Sequence, residues 1–114
     1  MKVIKSNVAI KNSNSNKCKT IEYSFNDNEL DLGLATITGR YQDFGYCVNE
    51  ISKELIYVLD GKGKLIFEDN IIEFSKGDSI LIYPKERYYW DSDYCIITMT
   101  CNPSWTKEQY KYIN

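Results

Sequence analysis

The sequence predicts an all-β fold, and three features indicate it. Short segments rich in β-branched and aromatic residues follow one another along the chain, as expected of strands. Turn residues separate these segments at close and regular intervals, which is typical of a sandwich or a barrel. The intervals are too short for helical crossovers between parallel strands, so an α/β fold is excluded.

Composition bounds the organisation and the classes of function. The 114 residues suffice for one modest core, so we expect a single domain over residues 1–114. The formal net charge is -2 and no basic stripe is present, which argues against nucleic-acid binding. No apolar stretch reaches the length of a signal peptide or a bilayer span. We therefore expect a cytoplasmic protein that binds neither nucleic acid nor membrane.

The elements can be predicted in order along the chain. The segment KNSNSNK at 11–17 favours turns or a mobile loop, because Asn and Ser are turn residues. Strands are predicted over residues 20–25, 32–38, 46–48, 54–59, 64–67, 71–74, 79–83 and 94–100. The DGKG sequence at 60–63 predicts a hairpin turn between two of them. Turns are also expected at 68–70, 76–78 and 84–86.

Some predicted strands are apolar at consecutive positions. Leu81, Ile82 and Tyr83 form one such run, whereas a strand with one wet face would alternate. We therefore expect these strands to be covered on both faces, as in a small closed barrel or a homodimer.

The C-terminus carries helix signals. Thr106 and Gln109 match a capping box, and Trp105 and Tyr110 occupy the positions of a hydrophobic staple. These signals predict a short helix over residues 107–112, which would plug or flank one end of the barrel.

The four cysteines are Cys18, Cys47, Cys95 and Cys101, and no C-x-x-C pair occurs among them. Cys95 and Cys101 lie too far apart along one predicted strand to form a disulfide. We expect four reduced thiols, mostly buried as small hydrophobic side chains.

Two segments resemble the motifs of the cupin family. In YCVNEISKELIYVLDGKGKL, Glu54 and Gly61 are separated by six residues, as in the first cupin motif. In KGDSILIYPKERYYW, the pair Gly77-Asp78 leads through a strand to Pro84, as in the second. The resemblance covers roughly residues 39–110. It implies a small cupin-type double-stranded β-helix, which is a jelly-roll barrel, with the predicted helix at its C-terminal end.

The resemblance also implies where a cupin metal would bind, and the residues there differ from the family pattern. The ligand positions of the motifs fall on Cys47, Asn49, Glu54 and Tyr88, and the chain contains no histidine. A thiol, an amide, a carboxyl and a phenol match no common preference of a first-row metal. We therefore predict no metal and no cofactor.

If the loop at 51–53 is read one residue shorter, Val48 and Glu50 take the paired positions. Glu50 and Glu54 would then form a two-carboxylate site that could hold a metal weakly.

The motif positions of cupins point into the barrel cavity, so the same resemblance predicts the site. We predict Glu54 and Tyr88 as catalytic candidates, because a buried carboxyl suits a general base and a phenol can return a proton. The predicted ligand-binding residues are Cys47, Asn49, Glu50, Arg40 and Trp90. Each of these side chains also has a purely structural interpretation, as a core residue or a solvated charge.

Several functions remain open from the sequence. We predict metal-independent binding of a small polar ligand, such as a sugar or an organic acid, in the barrel cavity. The alternative is a metal-independent sugar isomerase, epimerase or lyase, with Glu54 as base and Tyr88 as acid. A metal enzyme with an unusual ligand set and a purely structural barrel that forms a homodimer are the other two.

Overall fold

The computed structural model describes residues 1–114 and contains nine strands and two single-turn 3-10 helices. The strands are β1 (Ile10–Ser15), β2 (Cys18–Tyr23), β3 (Leu32–Tyr41), β4 (Tyr46–Asn49), β5 (Lys53–Phe67), β6 (Ile71–Ser75), β7 (Ser79–Ile82), β8 (Tyr88–Asn102) and β9 (Tyr110–Ile113). The 3-10 helices are Ser6–Val8 and Lys107–Gln109. Neither is of a length that could cross a bilayer.

All nine strands belong to one curled antiparallel sheet. The order β1-β2-β3-β8-β4-β9 forms one path through it, and β5 pairs with β6, β7 and β8 beside that path. The long strands β5 and β8 pair along almost their whole length, from Lys53 opposite Asn102 to Phe67 opposite Tyr88. Curling brings the inward faces of β2, β3, β5 and β8 together, so that the core lies inside the sheet.

Strand alternation decides which side chains form this core. Along the first half of β5, buried Glu54, Ile56 and Val58 alternate with exposed residues. Ile56 and Val58 are 0% exposed, as is Ile97, which lies opposite Val58 on β8. Fully burying such a side chain contributes about 1.5–3 kcal/mol to stability relative to leaving it exposed. The four cysteines are free and buried, as predicted.

The predicted hairpin turn at 60–63 is wrong, because β5 continues through it. Register shifts on both sides of Gly61, at 58–60 and 62–64, bend the strand without ending it. Gly61 has a φ of +79° and lies opposite Cys95, and a Cβ there would overlap the carbonyl of Tyr94. The glycine therefore allows a tight bend in a long strand.

The N-terminal polar segment is a strand and not a loop. Ile10–Ser15 pairs antiparallel with Glu22 to Cys18 of β2, with a register shift between Ser13 and Ser15, and a turn at 16–17 joins the two strands. Five of the six side chains of β1 are exposed, so the segment carries no alternating pattern that would have indicated a strand.

The predicted C-terminal helix at 107–112 is also wrong. Only Lys107–Gln109 is helical, as a single 3-10 turn, and Tyr110–Ile113 forms β9. β9 pairs with β4, with Tyr110 opposite Asn49. Thr106 makes no side-chain cap, and Gln109 instead accepts hydrogen bonds from the amides of Ile51 and Ser52. Tertiary partners thus satisfy the groups that a local capping box would have used.

The outward face of β5 and β7 is apolar and exposed. Leu55 lies opposite Leu81, and the two side chains are 51% and 44% exposed. Tyr57 and Tyr83 are similarly exposed, whereas Ile82 is buried. The expectation that the run 81–83 is covered on both faces therefore does not hold within a single copy of the chain.

Candidate ligand-binding cavity

A cavity of about 1180 Å³ lies inside the curled sheet. Inward-facing residues of β2, β3, β4, β5, β8 and β9 line it, together with two loops at 24–31 and 103–107. Among the lining residues, Leu30 and Trp105 of these loops are 57% and 40% exposed. The loops therefore form the mouth of the cavity, and the sheet forms its walls and floor.

Glu54, Tyr88 and Cys101 form a polar group on the cavity wall. The Tyr88 hydroxyl donates to Glu54 Oε1 at 3.2 Å, and the Cys101 thiol donates to Oε2 at 3.6 Å. Burial raises the pKa of Glu54, the two hydrogen bonds partly oppose this, and the nearby Asp31 charge adds to it. Burial also raises the pKa of Tyr88 well above its usual value, followed by the charge of Glu54. The group therefore favours a neutral carboxyl beside a neutral phenol.

Asp31 lies next to this group and connects two segments at the mouth of the cavity. Its Oδ1 accepts from the Cys101 amide at 2.7 Å, and its Oδ2 accepts from the Trp105 amide at 2.9 Å. Each oxygen of the carboxyl thereby accepts from a backbone amide. Asp31 therefore holds the strand end at Cys101 and the loop at Trp105 in a fixed relation.

Asn49 connects β4 to the same loop. It is 3% exposed, and its Oδ1 accepts from the Trp105 indole Nε1 at 2.9 Å. Trp105 also packs against Tyr110 of β9, with ring centroids 5.7 Å apart and a 65° angle between the planes. Asn49 and Tyr110 therefore fix the orientation of an indole at the cavity mouth.

A second polar group lies near β4 and β9. The Gln42 side chain donates to the Tyr110 hydroxyl, and the Cys47 thiol donates to the Tyr88 carbonyl at 3.3 Å. Burial raises the pKa of Cys47 to about 11 and raises that of Tyr110 strongly. The thiol is therefore protonated near neutral pH and is a poor nucleophile.

The cavity contains almost no positive charge. Lys107 at the mouth is the one basic lining residue, against the acidic residues Glu22, Asp27, Asp31 and Glu54. Arg40 is directed elsewhere, since its guanidinium donates to the carbonyls of Gln42 and Gly45 and stacks on Tyr89. Arg87 pairs with Glu68 at 3.4 Å, also outside the cavity.

The structure brings together five of the seven site residues predicted from the sequence. Cys47, Asn49, Glu54, Tyr88 and Trp90 all line the cavity. Two corrections follow. Arg40 does not line the cavity, because its guanidinium is bound to backbone carbonyls at 42 and 45. Glu50 does not line it either: its side chain is exposed and its amide donates to the Gln109 carbonyl. The shorter loop reading, with Glu50 and Glu54 as a carboxylate pair, is therefore wrong.

Comparison with solved structures decides the fold class. No protein-family model and no curated protein sequence matches the chain. Pac13, described as a unique nucleoside dehydratase, superposes with a TM-score of 0.86 at 16% identity, over 100% of this chain and 92% of that one. Ectoine synthase from P. lautus gives 0.76 at 12% identity, over 100% and 91%. An RmlC-like cupin from Shewanella frigidimarina NCIMB 400 gives 0.72 at 16% identity, over 89% of each chain. The fold is a cupin-type barrel. Variants of Pac13 from Streptomyces are also among the similar structures, and these contain uridine.

The cupin metal positions of this barrel do not suit a metal. The Asn49 oxygen accepts from Trp105, the Tyr88 hydroxyl donates to Glu54, and the Cys47 thiol has a pKa of about 11. No three side chains among His, Cys, Asp and Glu come together as a possible metal site anywhere in the chain. The four groups are hydrogen-bonded within the protein, and burial raises the pKa values of Cys47, Glu54 and Tyr88, which disfavours divalent cations.

Among the residues that form the two polar groups and the mouth, sequence reasoning did not predict Asp31, Gln42, Cys101, Trp105 or Tyr110. Asp31 precedes β3 and Gln42 follows it, both in loops, where no periodic pattern indicates which way a side chain points. Trp105 and Tyr110 lie in a segment with a strong helix signal, which does not predict a position on the cavity lining. Only the cupin motif segments, at 46–61 and 76–90, gave residue-level information about the site.

Proposed function

We propose that the cupin-type barrel binds a small, uncharged polar ligand in its cavity through protein groups alone, without a metal. The observation that carries this proposal is the near absence of positive charge among the lining residues. An organic acid or a phosphate ester entering the cavity would lose hydration and find no cationic partner beyond Lys107 at the mouth.

The acidic residues of the lining do not favour a cation either. Asp27 accepts from the amides of Glu29 and Leu30, and the Glu29 bond chiefly lowers its pKa. Asp31 is directed at two further backbone amides. Two of the four acidic lining residues thus direct their oxygens at backbone amides, Glu54 is held towards its neutral form, and Glu22 is exposed. An uncharged sugar or nucleoside therefore fits better than the organic acid that the sequence left open.

The binding residues we propose are Asn49, Glu54, Tyr88 and Trp90, with Cys47 as a nearby wall. They offer an amide, a carboxyl, a hydroxyl and an indole, which is the mixture of polar and aromatic groups common in small-molecule sites. Pac13 has the same fold, and variants of it occur in structures with uridine, so uridine is a rational first probe for this chain.

Thermal unfolding tests the proposal. We expect 10 mM uridine to raise the melting temperature, uridine 5′-monophosphate to raise it less, and EDTA to change neither result, since a ligand that binds only the native state stabilises it. An equal or larger shift with the monophosphate, or loss of the uridine shift after EDTA, would contradict the proposal.

A lyase is the second candidate, and the 3.2 Å hydrogen bond between Tyr88 and Glu54 favours it. In an elimination of water, ionised Glu54 takes a proton from carbon and the electron pair forms a double bond. The C–O bond breaks, and the leaving oxygen takes the Tyr88 proton and departs as water. Glu54 can then return its proton to the phenolate through the existing hydrogen bond. Such acid–base groups contribute about 10²–10⁴-fold each.

Proton exchange separates this candidate from simple binding. Isomerases, epimerases and lyases of this kind all begin by removing a proton from carbon. We expect D-ribose, D-fructose or uridine in D₂O to exchange a carbon-bound proton faster with the wild-type protein than with Glu54→Gln, by about 10²-fold or more. Binding without any exchange in the wild type would contradict the lyase and support the binding function.

We propose further that the protein is a homodimer. The exposed apolar face of Leu55, Tyr57, Leu81 and Tyr83 supports this, since monomers rarely expose contiguous apolar patches. Light scattering at 100 µM should give twice the mass of the chain for the wild type and the single mass for Leu55→Lys. A monomeric wild type would exclude a dimer at this face.

The four free thiols agree with a reducing compartment, and we place the protein in the cytoplasm on that ground.

A further inference from the structure

Trp105 at the cavity mouth combines exposure with rigid attachment. It is 40% exposed, although its backbone amide is bound to Asp31 and its indole Nε1 is bound to Asn49. An exposed loop tryptophan normally keeps some freedom of movement. Here three elements fix it, because Tyr110 of β9 packs against it as well.

A fixed aromatic ring on a cavity wall is suited to binding another flat ring. Because the indole is already immobilised, stacking a ligand on it loses little side-chain entropy. Stacking tolerates any uncharged planar heterocycle, since all such rings have a π-face. The indole N–H is already used by Asn49, so the remaining interaction available is through the ring itself.

The indole is also linked to the polar group of the cavity. Asp31 accepts from Trp105 through Oδ2 and from Cys101 through Oδ1, and the Cys101 thiol donates to Glu54. A short series of hydrogen bonds therefore sets the position of the indole relative to Glu54 and Tyr88. The cavity has an aromatic end at its mouth and a hydroxyl-binding end at its wall.

We infer that Trp105 is a stacking platform, and that the ligand is a planar ring joined to a hydroxylated part, as in a nucleoside. This inference rests on the proposed binding function and narrows its ligand class. Asp31 is a positioning residue that acts through the indole, and Asn49 both holds the indole through its Oδ1 and lines the cavity. A free sugar would occupy only the hydroxyl-binding end and would leave the platform unused.

Two matched probes test the inference by calorimetric titration. Uridine carries the planar ring, and methyl β-D-riboside carries the same hydroxylated part without it. We expect the wild type to bind uridine at least 10-fold more tightly than the riboside. Trp105→Leu should weaken uridine binding by about 10- to 100-fold and leave riboside binding unchanged. Trp105→Phe, which retains a flat ring, should recover most of the loss.

The control is Phe44→Leu, which removes an aromatic ring that is 78% exposed and does not line the cavity. It should bind both probes as the wild type does. Equal wild-type affinity for the two probes, or an equal loss of both in Trp105→Leu with a normal melting curve, overturns the platform and leaves the binding function intact. If the wild type binds neither probe, the proposed function fails and this inference fails with it.

Discussion

Glu54 is the residue whose environment most differs from that of an ordinary surface side chain. It is 8% exposed, and its two oxygens accept from a phenol and from a thiol, both of them neutral donors. No cation contacts it, so burial dominates and its pKa lies above the usual 4.5. Glu54 is thus a carboxyl that the fold tolerates best in its protonated form.

This raised pKa makes stability depend on pH in a definite direction. Below about pH 4.5 the residue is protonated in both the folded and the unfolded chain and contributes no pH dependence. Above that pH the unfolded chain releases the proton more readily, so Glu54 lowers the free energy of unfolding. The loss continues until the pH passes the pKa of the folded state, at up to about 1.4 kcal/mol per pH unit.

Glu54→Gln removes this titration. We expect the stability of the variant relative to the wild type to increase from pH 4.5 towards neutral pH, as measured by urea unfolding at several pH values. Glu73→Gln, at an exposed position on β6, is the matched control and should show no such trend. A stability difference that stays constant with pH would mean that Glu54 ionises normally in the folded protein.

At the scale of single elements, the bend in β5 depends on Gly61. Its φ of +79° disfavours any other residue, and a Cβ would also overlap the β8 backbone at Tyr94. Gly77 also has a positive φ, of +93°, but nothing lies within 4 Å of an added Cβ, so no overlap would follow there. The two glycines therefore separate backbone strain from overlap.

Gly77→Ala should lower the free energy of unfolding by about 1–2 kcal/mol, which is the usual penalty for a left-handed backbone. Gly61→Ala should be at least twice as damaging or prevent folding, because β5 and β8 must also move apart. Urea unfolding of both variants measures this. Equal effects would indicate that 60–63 is an open turn, as the sequence suggested.

The C-terminal segment shows how a local signal can be overridden. Thr106 and Gln109 have the spacing of a capping box, yet Gln109 is 3% exposed and binds the 51–52 turn. It also donates to the Ser52 hydroxyl at 2.8 Å. Once Gln109 is held there, the following residues pair with β4 and become a strand.

Gln109→Ala therefore tests whether the C-terminal segment forms the strand Tyr110–Ile113 or the helix predicted over 107–112. The change leaves the buried amide of Ser52 and the part-buried amide of Ile51 without an acceptor, and we expect a loss of about 2–4 kcal/mol in the free energy of unfolding. Glu108→Ala, at the exposed neighbouring position, should cost under 1 kcal/mol. In a terminal helix with an exposed third residue, the two variants would be similar.

For the whole molecule, the fold was more predictable than the site. Alternation in β5 and the two cupin motifs indicated the barrel and placed Cys47, Asn49, Glu54, Tyr88 and Trp90 on its inner wall. The mouth could not be predicted, because its loops are positioned by long-range hydrogen bonds such as those of Asp31. Sequence spacing carries no information about contacts of that range.

The charge of the cavity is likewise a property of the whole molecule. Arg40 is a ligand-binding candidate in the sequence, yet its guanidinium and that of Arg87 are both occupied outside the cavity. The proposal of an uncharged ligand in place of an organic acid therefore depends on the folded arrangement and not on the sequence. The same arrangement leaves an apolar outer face on β5 and β7 exposed.

The most direct test of the central claim is a titration of the ¹⁵N-labelled, EDTA-treated protein with uridine, followed by amide chemical shifts. We predict that the shifts concentrate at the cavity wall and mouth, around Asn49, Glu54, Tyr88 and Trp105. Exposed residues of β6 and the β5–β7 outer face should not move. Shifts confined to the outer surface, or none at saturating uridine, would contradict the account of the cavity as the binding site.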